Sequence, residues 1–234
     1  MPETRRLAIV GYGKMGRMIE QFAPEYGFSV ALKLDEFNNA NSEGLTAANF
    51  SGVDAAIDFS IPAAVRRNVE GIAALGVNIV VGTTGWLEHL DAVKQAVESN
   101  GIGLVWSPNY SVGVNAFFHV VREAARLLES QPSYAAWAWE IHHSAKKDAP
   151  SGTLLKLVEE MKQAGYTRMI DVSSSRAGTI PGTHEIGFDS SADTITLRHT
   201  ARSREGFARG ALQAAKWVVG KKGFHEFGDV IFSD

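Results

Sequence analysis

The sequence predicts an α/β protein in two parts, an N-terminal doubly wound parallel sheet and a C-terminal α+β segment with an open mixed sheet. Three observations carry this. A short all-apolar run, Leu7-Ala8-Ile9-Val10, breaks into glycines and leads into an amphipathic helical stripe. Apolar runs and helical stripes then alternate as far as residue 107, which is the pattern of successive βαβ units. After Asn109 the alternation gives way to a long helix, an aromatic-rich run and three further strand-like runs.

Taken in order, Leu7–Val10 reads as a parallel strand buried on both faces, because no polar residue interrupts it. From Lys14 to Phe22, Met15, Met18, Ile19 and Phe22 recur at helical intervals. Strands are expected over Phe28–Leu34 and Val53–Phe59, and a helix over Pro62–Leu75 with Pro62 suited to its first turn. Val77–Val81 is a strand, Leu87–Ser99 a helix and Ile102–Trp106 a strand. The stretch from Asn39 to Ser51 is too short and too rich in Asn, Ser and Gly for a full crossover helix, so a loop is expected. Beyond Asn109, Val114–Leu128 has helical periodicity and Tyr134–Ile141 is strand-like. Ser151–Ala164 reads as helix, and Arg168–Ser174, Thr183–Phe188 and Thr194–His199 read as strands with antiparallel pairing. Gly206–Val219 is a further helix expected to return to the first domain.

Composition excludes several function classes. Lys and Arg total 23 against 26 Asp and Glu, so no basic excess exists to neutralise nucleic-acid phosphates. Cysteine is absent, which removes disulfides, thiolate metal sites and a cysteine nucleophile. Neither a signal-peptide apolar segment nor a run of about 18 apolar residues occurs. The expectation is a cytoplasmic protein without nucleic-acid or membrane partners.

Gly11-Tyr12-Gly13-Lys14-Met15-Gly16 has GxGxxG spacing, directly after the first buried strand and at the head of an amphipathic helix. The first glycine permits a tight turn, the second lets a pyrophosphate approach the backbone and the third lets helix pack on strand. This placement makes a Rossmann-like dinucleotide site the expected reading. About 20 positions on, an acidic residue should accept ribose hydroxyls, and Asp35 stands there with Glu36 behind it. Two carboxylates repel a 2′-phosphate, which favours NADH. Lys14 offsets part of that repulsion, so NADPH is kept as a second cofactor. Two more loops follow strand ends, where open α/β sheets bind ligands. Gly82-Thr83-Thr84-Gly85 and Ser107-Pro108-Asn109-Tyr110 offer amides, hydroxyls and a carboxamide to the nicotinamide end, although such residues are also ordinary turn formers.

The densest chemistry runs from Glu140 through His142, His143, Lys146 and Asp148 to Ser151-Gly152-Thr153. It ends a strand, crosses a loop and opens a helix. Ser151 as N-cap leaves the N–H groups of Gly152 and Thr153 facing outward with the positive end of the helix dipole, a site for a carboxylate or phosphate. Lys146 adds charge, and a histidine is the usual proton donor near neutral pH. The pairing suits reduction of a small carboxylic acid. A metal site of His142, His143, Glu140 and Asp148 is disfavoured, since adjacent strand residues face opposite ways and no third histidine stands at ligand spacing. A solvated loop without a role is the bland alternative. His184 and His199 read as structural or interface residues, and His119 as packed.

On these residues the sequence resembles the 4-hydroxy-tetrahydrodipicolinate (dihydrodipicolinate) reductase family, over nearly the whole chain. The motifs arrive in the family's order: the Gly11–Gly16 turn, Asp58-Phe59-Ser60, Gly82-Thr83-Thr84-Gly85, Asn109 to Asn115, His142 to Thr153, and Arg204 through Gly210. His-His-x-x-Lys joined to Asp148-Ala149-Pro150-Ser151-Gly152-Thr153 is the specific part.

The resemblance implies residues 1–109 and 208–234 as the dinucleotide-binding domain, and 110–207 as a substrate-binding and tetramerisation domain whose open sheet forms the core of a homotetramer. It implies hydride transfer from NAD(P)H to C4 of a small dicarboxylate ring as its hydroxyl leaves as water, in diaminopimelate and lysine biosynthesis. His142 matches the proton donor and Lys146 its catalytic partner, while His143, Ser151, Gly152 and Thr153 fall on substrate-binding positions. Gly82, Thr83, Thr84, the Ser107–Tyr110 loop, Arg204 and Phe207 fall on cofactor positions. The chain departs from many members in a glycine turn one residue shorter, a trimmed region after the second strand, and Glu36 where an Arg follows the acidic ribose residue. Another reductase or dehydrogenase of this architecture, acting on a different amino or carboxylic acid, is one alternative. A noncatalytic NADH-binding regulatory module is the other, and it has no need of His142 and Lys146.

Overall fold

The computed structural model describes residues 4–232 and divides into two compact units, Met1–Val112 with Glu205–Asp234, and Gly113–Arg204. In the first unit, strands β1 (Arg5–Val10), β2 (Phe28–Leu34), β3 (Ala55–Asp58), β4 (Asn78–Val81), β5 (Gly103–Trp106) and β10 (Gly223–Glu226) form one six-stranded sheet in the order β10-β5-β4-β3-β1-β2. All its pairs are parallel. Alternate residues of each strand serve opposite cores. Leu7, Ile9 and Ile57 pack with Ile19 and Phe22 of helix α1 (Lys14–Phe22) and with Ala211, Leu212 and Ala215 of α6 (Glu205–Val218). Ala8, Val10, Ala56 and Ile79 pack with Val65, Val69 and Ile72 of α2 (Pro62–Ala74) and Val93 and Val97 of α3 (Leu90–Asn100). A sheet covered on both faces explains why its strands are near-continuously apolar.

Register sets the functional edge. Val10 pairs with Asp58, Asp58 with Val81 and Val81 with Trp106, so these four strands end level. The loops that follow them, at Gly11, Phe59–Ser60, Gly82 and Ser107, therefore share the carboxyl edge of the sheet. Residues 36–53 form turns without a helix, as their composition predicts. Strand β10 and the short helix α7 (Phe227–Ile231) are not apparent from the sequence, because Gly-Phe-His-Glu has neither an apolar run nor clean alternation. It is an edge strand, paired only with β5.

The second unit carries the sheet β7 (Ile170–Arg176), β6 (Ala135–His142), β8 (Thr183–Asp189) and β9 (Thr194–Thr200) in that order. β6 and β7 are parallel and the other pairs antiparallel, so the sheet is mixed. One face packs on α4 (Val112–Glu129) and α5 (Gly152–Gln163) through Phe117, Val121, Leu154, Leu157 and Met161 against Ala136, Ala138, Ile186 and Phe188. The opposite face presents Trp137 and Trp139, with Trp137 lying across its pairing partner Gly187, where even a Cβ would meet the indole. His119 is exposed on α4 rather than packed, since it follows the buried Phe117 by only two positions and turns off the apolar stripe.

Candidate active site

In the first unit the carboxyl edge opens into a cavity of about 580 Å³ lined by Gly11, Tyr12, Gly13, Asp35, Glu36, Phe37, Ser60, Ile61 and Arg67 among others. Gly11 has φ +90°, and a Cβ there would lie 2.2 Å from the Phe59 carbonyl oxygen, so only glycine lets the turn close onto the β3–α2 loop. Gly13 caps α1 with no side chain on the cap, and a Cβ on it would meet nothing within 4 Å. The backbone at Gly13 is thus open on that side, at a helix start of the kind that binds phosphates through its unpaired N–H groups. Lys14, Met15 and Gly16 stand outside the lining: Lys14 is exposed, Met15 packs on the core and Gly16 is buried beneath the turn.

Asp35 closes β2 and uses one oxygen locally, Oδ1 accepting from Phe37 N at 2.9 Å, while its own N–H donates to Asn38. The cavity also holds two guanidinium groups, Arg17 and Arg67, that sequence spacing does not reveal. Arg67 sits on α2 and donates to the Ala40 carbonyl at 2.9 Å. Phe37 is 86% exposed and Ile61 63%, which leaves two apolar surfaces at the mouth of the cavity, as an adenine ring would use.

Beneath the sheet edge, buried Asp58 accepts from four donors. Oδ1 takes the Ser60 N–H, the Ser60 hydroxyl and the Thr83 hydroxyl, and Oδ2 takes the Asn68 amide. Burial still pushes its carboxyl above the usual range despite those bonds. Thr83 is buried and its carbonyl accepts the Trp86 indole N–H, whereas Thr84 is exposed. In the Ser107–Tyr110 loop the Ser107 hydroxyl donates to Asn109 O and accepts from Asn109 N, and Asn109 Oδ1 accepts from Ser111 N. Pro108 is exposed. The Tyr110 hydroxyl lies 3.0 and 2.9 Å from the carbonyls of Val81 and Val105, so its side chain ties β4 to β5 in the core, and burial drives its pKa well up. Phe207 packs partly buried on the same core. Arg204, the last residue of the second unit, is exposed.

The second unit assembles the histidine cluster. Glu140 and His142 are two residues apart on β6 and so share a face, and the Glu140 carboxylate takes the His142 Nδ1–H in a short hydrogen bond. Sheet register supplies the neighbours: Arg176 of β7 pairs with His142, and His184 of β8 pairs with Glu140. Glu140 Oε1 is 2.9 Å from Arg176 Nη2 and accepts the Ser151 N–H at 3.1 Å. Burial works to raise the Glu140 carboxyl, yet Arg176, His142 and Ser151 together hold it below the usual range. Burial lowers His142, opposed by Glu140 and reinforced by Lys146 and Arg176. His184 is pushed down to about 4, chiefly by burial and then by the His142 charge.

Ser151 is the N-cap of α5, its Oγ accepting from Leu154 N at 3.2 Å. The same hydroxyl is hydrogen-bonded to His184 Nε2 at 3.1 Å. Gly152 and Thr153 occupy the first turn, Gly152 exposed and Thr153 half-buried. His143 is half-buried, and Lys146 binds both oxygens of Asp148 at 2.8 and 2.9 Å, which lowers that carboxyl. Sequence spacing shows no third histidine, but strand pairing brings His184 in, and ligand atoms of Glu140, His142 and His184 lie within 4.8 Å of one another. Both Glu140 oxygens already accept hydrogen bonds, from His142 and Ser151, and His184 Nε2 is hydrogen-bonded to the Ser151 hydroxyl, so the three groups are tied into one hydrogen-bonded cluster. His184, expected as a structural or interface residue, thus meets the His142 ring and the Ser151 N-cap. Its only sequence signal is a polar residue at an inward position of a strand.

Residues 5–110 match the family model described as dihydrodipicolinate reductase, N-terminus, and residues 113–231 match dihydrodipicolinate reductase, C-terminus. The chain is 33% identical over 236 residues to the 4-hydroxy-tetrahydrodipicolinate reductase of Christiangramia forsetii, covering 96% of this chain and 97% of that one. Identity to the enzyme of the same name from Archaeoglobus fulgidus is 33% over 263 residues, covering 97% and 99%. Among solved structures, dipicolinate-bound dihydrodipicolinate reductase from Paenisporosarcina sp. TG-14 superposes with a TM-score of 0.81 at 22% identity, covering 97% of this chain and 99% of that one, a likeness of fold.

Proposed function

The chain belongs to the dihydrodipicolinate reductase family, and from that premise we propose how its residues carry the NAD(P)H-dependent reduction of 4-hydroxy-tetrahydrodipicolinate to tetrahydrodipicolinate in diaminopimelate and lysine biosynthesis. The observation that supports the assignment most is the junction of His142 with the N-cap of α5 through one carboxylate, Glu140. A dicarboxylate ring needs an anion site and a proton donor side by side, and this junction holds both.

When bound, the reduced nicotinamide supplies the hydride that reaches ring C4. His142 gives the proton that lets the C4 hydroxyl depart as water, from Nε2, because Nδ1–H is committed to Glu140. Gly152, Thr153 and His143 hold the substrate carboxylates at the positive end of α5, with Ser151 shaping that turn. Lys146, kept in place by Asp148, adds positive charge. Two carboxylates arriving beside His142 raise its proton affinity, which loads the donor only when substrate is present. The Gly11–Gly16 turn receives the pyrophosphate, Asp35 the ribose, and the Gly82–Thr84 and Ser107–Tyr110 loops, with Arg204 and Phe207, the nicotinamide end.

We place the cofactor preference with NADH and keep NADPH as a second cofactor. Asp35 and Glu36 repel a 2′-phosphate, while Arg17 and Arg67 in the same lining attract one. The assembly we propose is a homotetramer built through the Trp137/Trp139 face of the mixed sheet, which α4 and α5 leave uncovered. No helix among the described residues is long and apolar enough to cross a membrane, and we place the enzyme in the cytoplasm.

The test is oxidation of NADH, and separately of NADPH, with substrate generated in the cuvette from pyruvate and aspartate semialdehyde by the preceding synthase. Oxidation that depends on the synthase is the expected result. Tight NADH binding with no oxidation of either cofactor would instead move the reading to another substrate or to a binding module.

A further inference from the structure

His142 does not stand alone, and its surroundings assign a role to a residue that its chemistry alone leaves open. Glu140 lies fully buried, yet it carries no exposed function and touches three separate parts of the second unit. On its own strand it takes the His142 Nδ1–H. Across the loop it accepts the backbone N–H of Ser151, the residue that caps α5. From β7 it receives Arg176, whose Nη2 also reaches the Asp148 carbonyl, and Asp148 in turn binds Lys146. A buried carboxylate is costly unless its lone pairs are filled, and here two of the three contacts, His142 and Ser151, come from the proposed substrate site.

We propose that Glu140 is the positioning residue of this site: it fixes His142 with Nδ1 protonated and Nε2 as the proton-transferring nitrogen, and it locks that imidazole to the N-terminus of α5, where the substrate carboxylates bind. The inference rests on the reading of His142 as proton donor. Geometry on the far side of the ring agrees with it. Gly182 precedes β8 with φ +148°, and a Cβ built on it would lie 2.7 Å from His142 Nε2. Any other residue would cover the nitrogen that must meet substrate. Glycine avoids that contact.

The electrostatics define what removal of Glu140 does. The charged and titratable groups facing His142 are Glu140 from β6, Arg176 from β7, His184 from β8 and Lys146 from the following loop. Of these only Glu140 favours the protonated ring. Replacing it with an uncharged amide leaves the ring facing the charges of Lys146 and Arg176, which oppose its own, and the amide NH₂ can turn Nδ1 into an acceptor and so select the other tautomer.

The experiment is a double-mutant cycle in the full-length protein with Glu140→Gln, His142→Ala and the two combined, read as kcat, KM and the pH profile of kcat/KM. Glu140→Gln is expected to lower kcat by about 10²-fold, as loss of an orienting carboxylate behind a catalytic histidine does. NADH affinity stays within about twofold, the histidine limb of the profile moves to lower pH, and Glu140→Asp recovers part of the rate. The double variant should be no slower than His142→Ala. Wild-type kcat and an unchanged profile in Glu140→Gln, with His142→Ala inactive, would overturn this inference and leave the donor reading intact. Near-normal turnover in His142→Ala would overturn the donor reading itself. Should Glu140→Gln fail to fold, ¹⁵N NMR of the His142 ring in the unmodified protein decides: the Nδ1–H tautomer is expected, and an Nε2–H ring with bare Nδ1 overturns the proposal.

Discussion

Asp58 at the end of β3 accepts the hydroxyl of Thr83 at 2.8 Å, although 25 residues separate them. The bond joins the carboxyl ends of two neighbouring parallel strands directly beneath the loop expected to meet the nicotinamide. The same carboxylate holds Ser60, which lines the dinucleotide cavity, and Asn68, which does so from α2.

Asp58→Ala strands the Thr83 hydroxyl, the Asn68 amide and the N–H and hydroxyl of half-buried Ser60, each buried donor costing about 1–3 kcal/mol. We expect a loss of about 3 kcal/mol in chemical denaturation, together with a dinucleotide Kd raised about tenfold as both loops loosen. Wild-type values for both quantities would show that the network is not what holds the loops.

His184 makes stability depend on pH. Its folded pKa of about 4 lies below the unfolded value of 6.5, so the unfolded chain binds the extra proton between those values and stability falls as pH drops through them. At about 1.4 kcal/mol for each pH unit, the loss between pH 7 and pH 4 is about 3 kcal/mol. His184→Gln should be flatter across that window. Parallel denaturation curves for the two proteins from pH 7 to 4 would count against it.

Cofactor choice should respond to the charges lining the adenosine side. Glu36→Arg is expected to raise kcat/KM for NADPH by about tenfold and to leave NADH use near its starting value. Arg67→Ala should weaken NADPH more than NADH. A variant pair that shifts both cofactors equally would place the 2′-phosphate elsewhere.

Trp139→Arg puts a cation onto the uncovered face of the mixed sheet, without disturbing the α4–α5 side of that sheet. Light scattering of the wild type should give a tetramer, and the variant a smaller species. A monomeric wild type, or a tetrameric variant, would remove this face from the assembly.

Much of the site is legible because it is contiguous. His142 to Thr153 is one stretch of chain, and an N-cap serine with a histidine and a lysine before it has the same meaning in sequence and in space. The Gly11–Gly16 turn is legible for the same reason: a strand end, a turn and a helix start must be neighbours. The missing parts are those that strand pairing or helix packing supplies. Arg17 and Arg67 reach one cavity from two different helices, and nothing in their spacing announces it. Strand β10 is short and lies at the edge, where only one side need be paired and no apolar run is required.

The sequence by itself determined the order of elements as far as α6, the two-part architecture and the family, because local periodicity and contiguous motifs encode them. Tertiary structure alone decided that His184 meets Ser151 across 33 residues and that Arg176 closes on Glu140. Those meetings follow from sheet register, which sets residues opposite one another according to how whole strands bury their apolar faces, a property no single stretch of sequence contains.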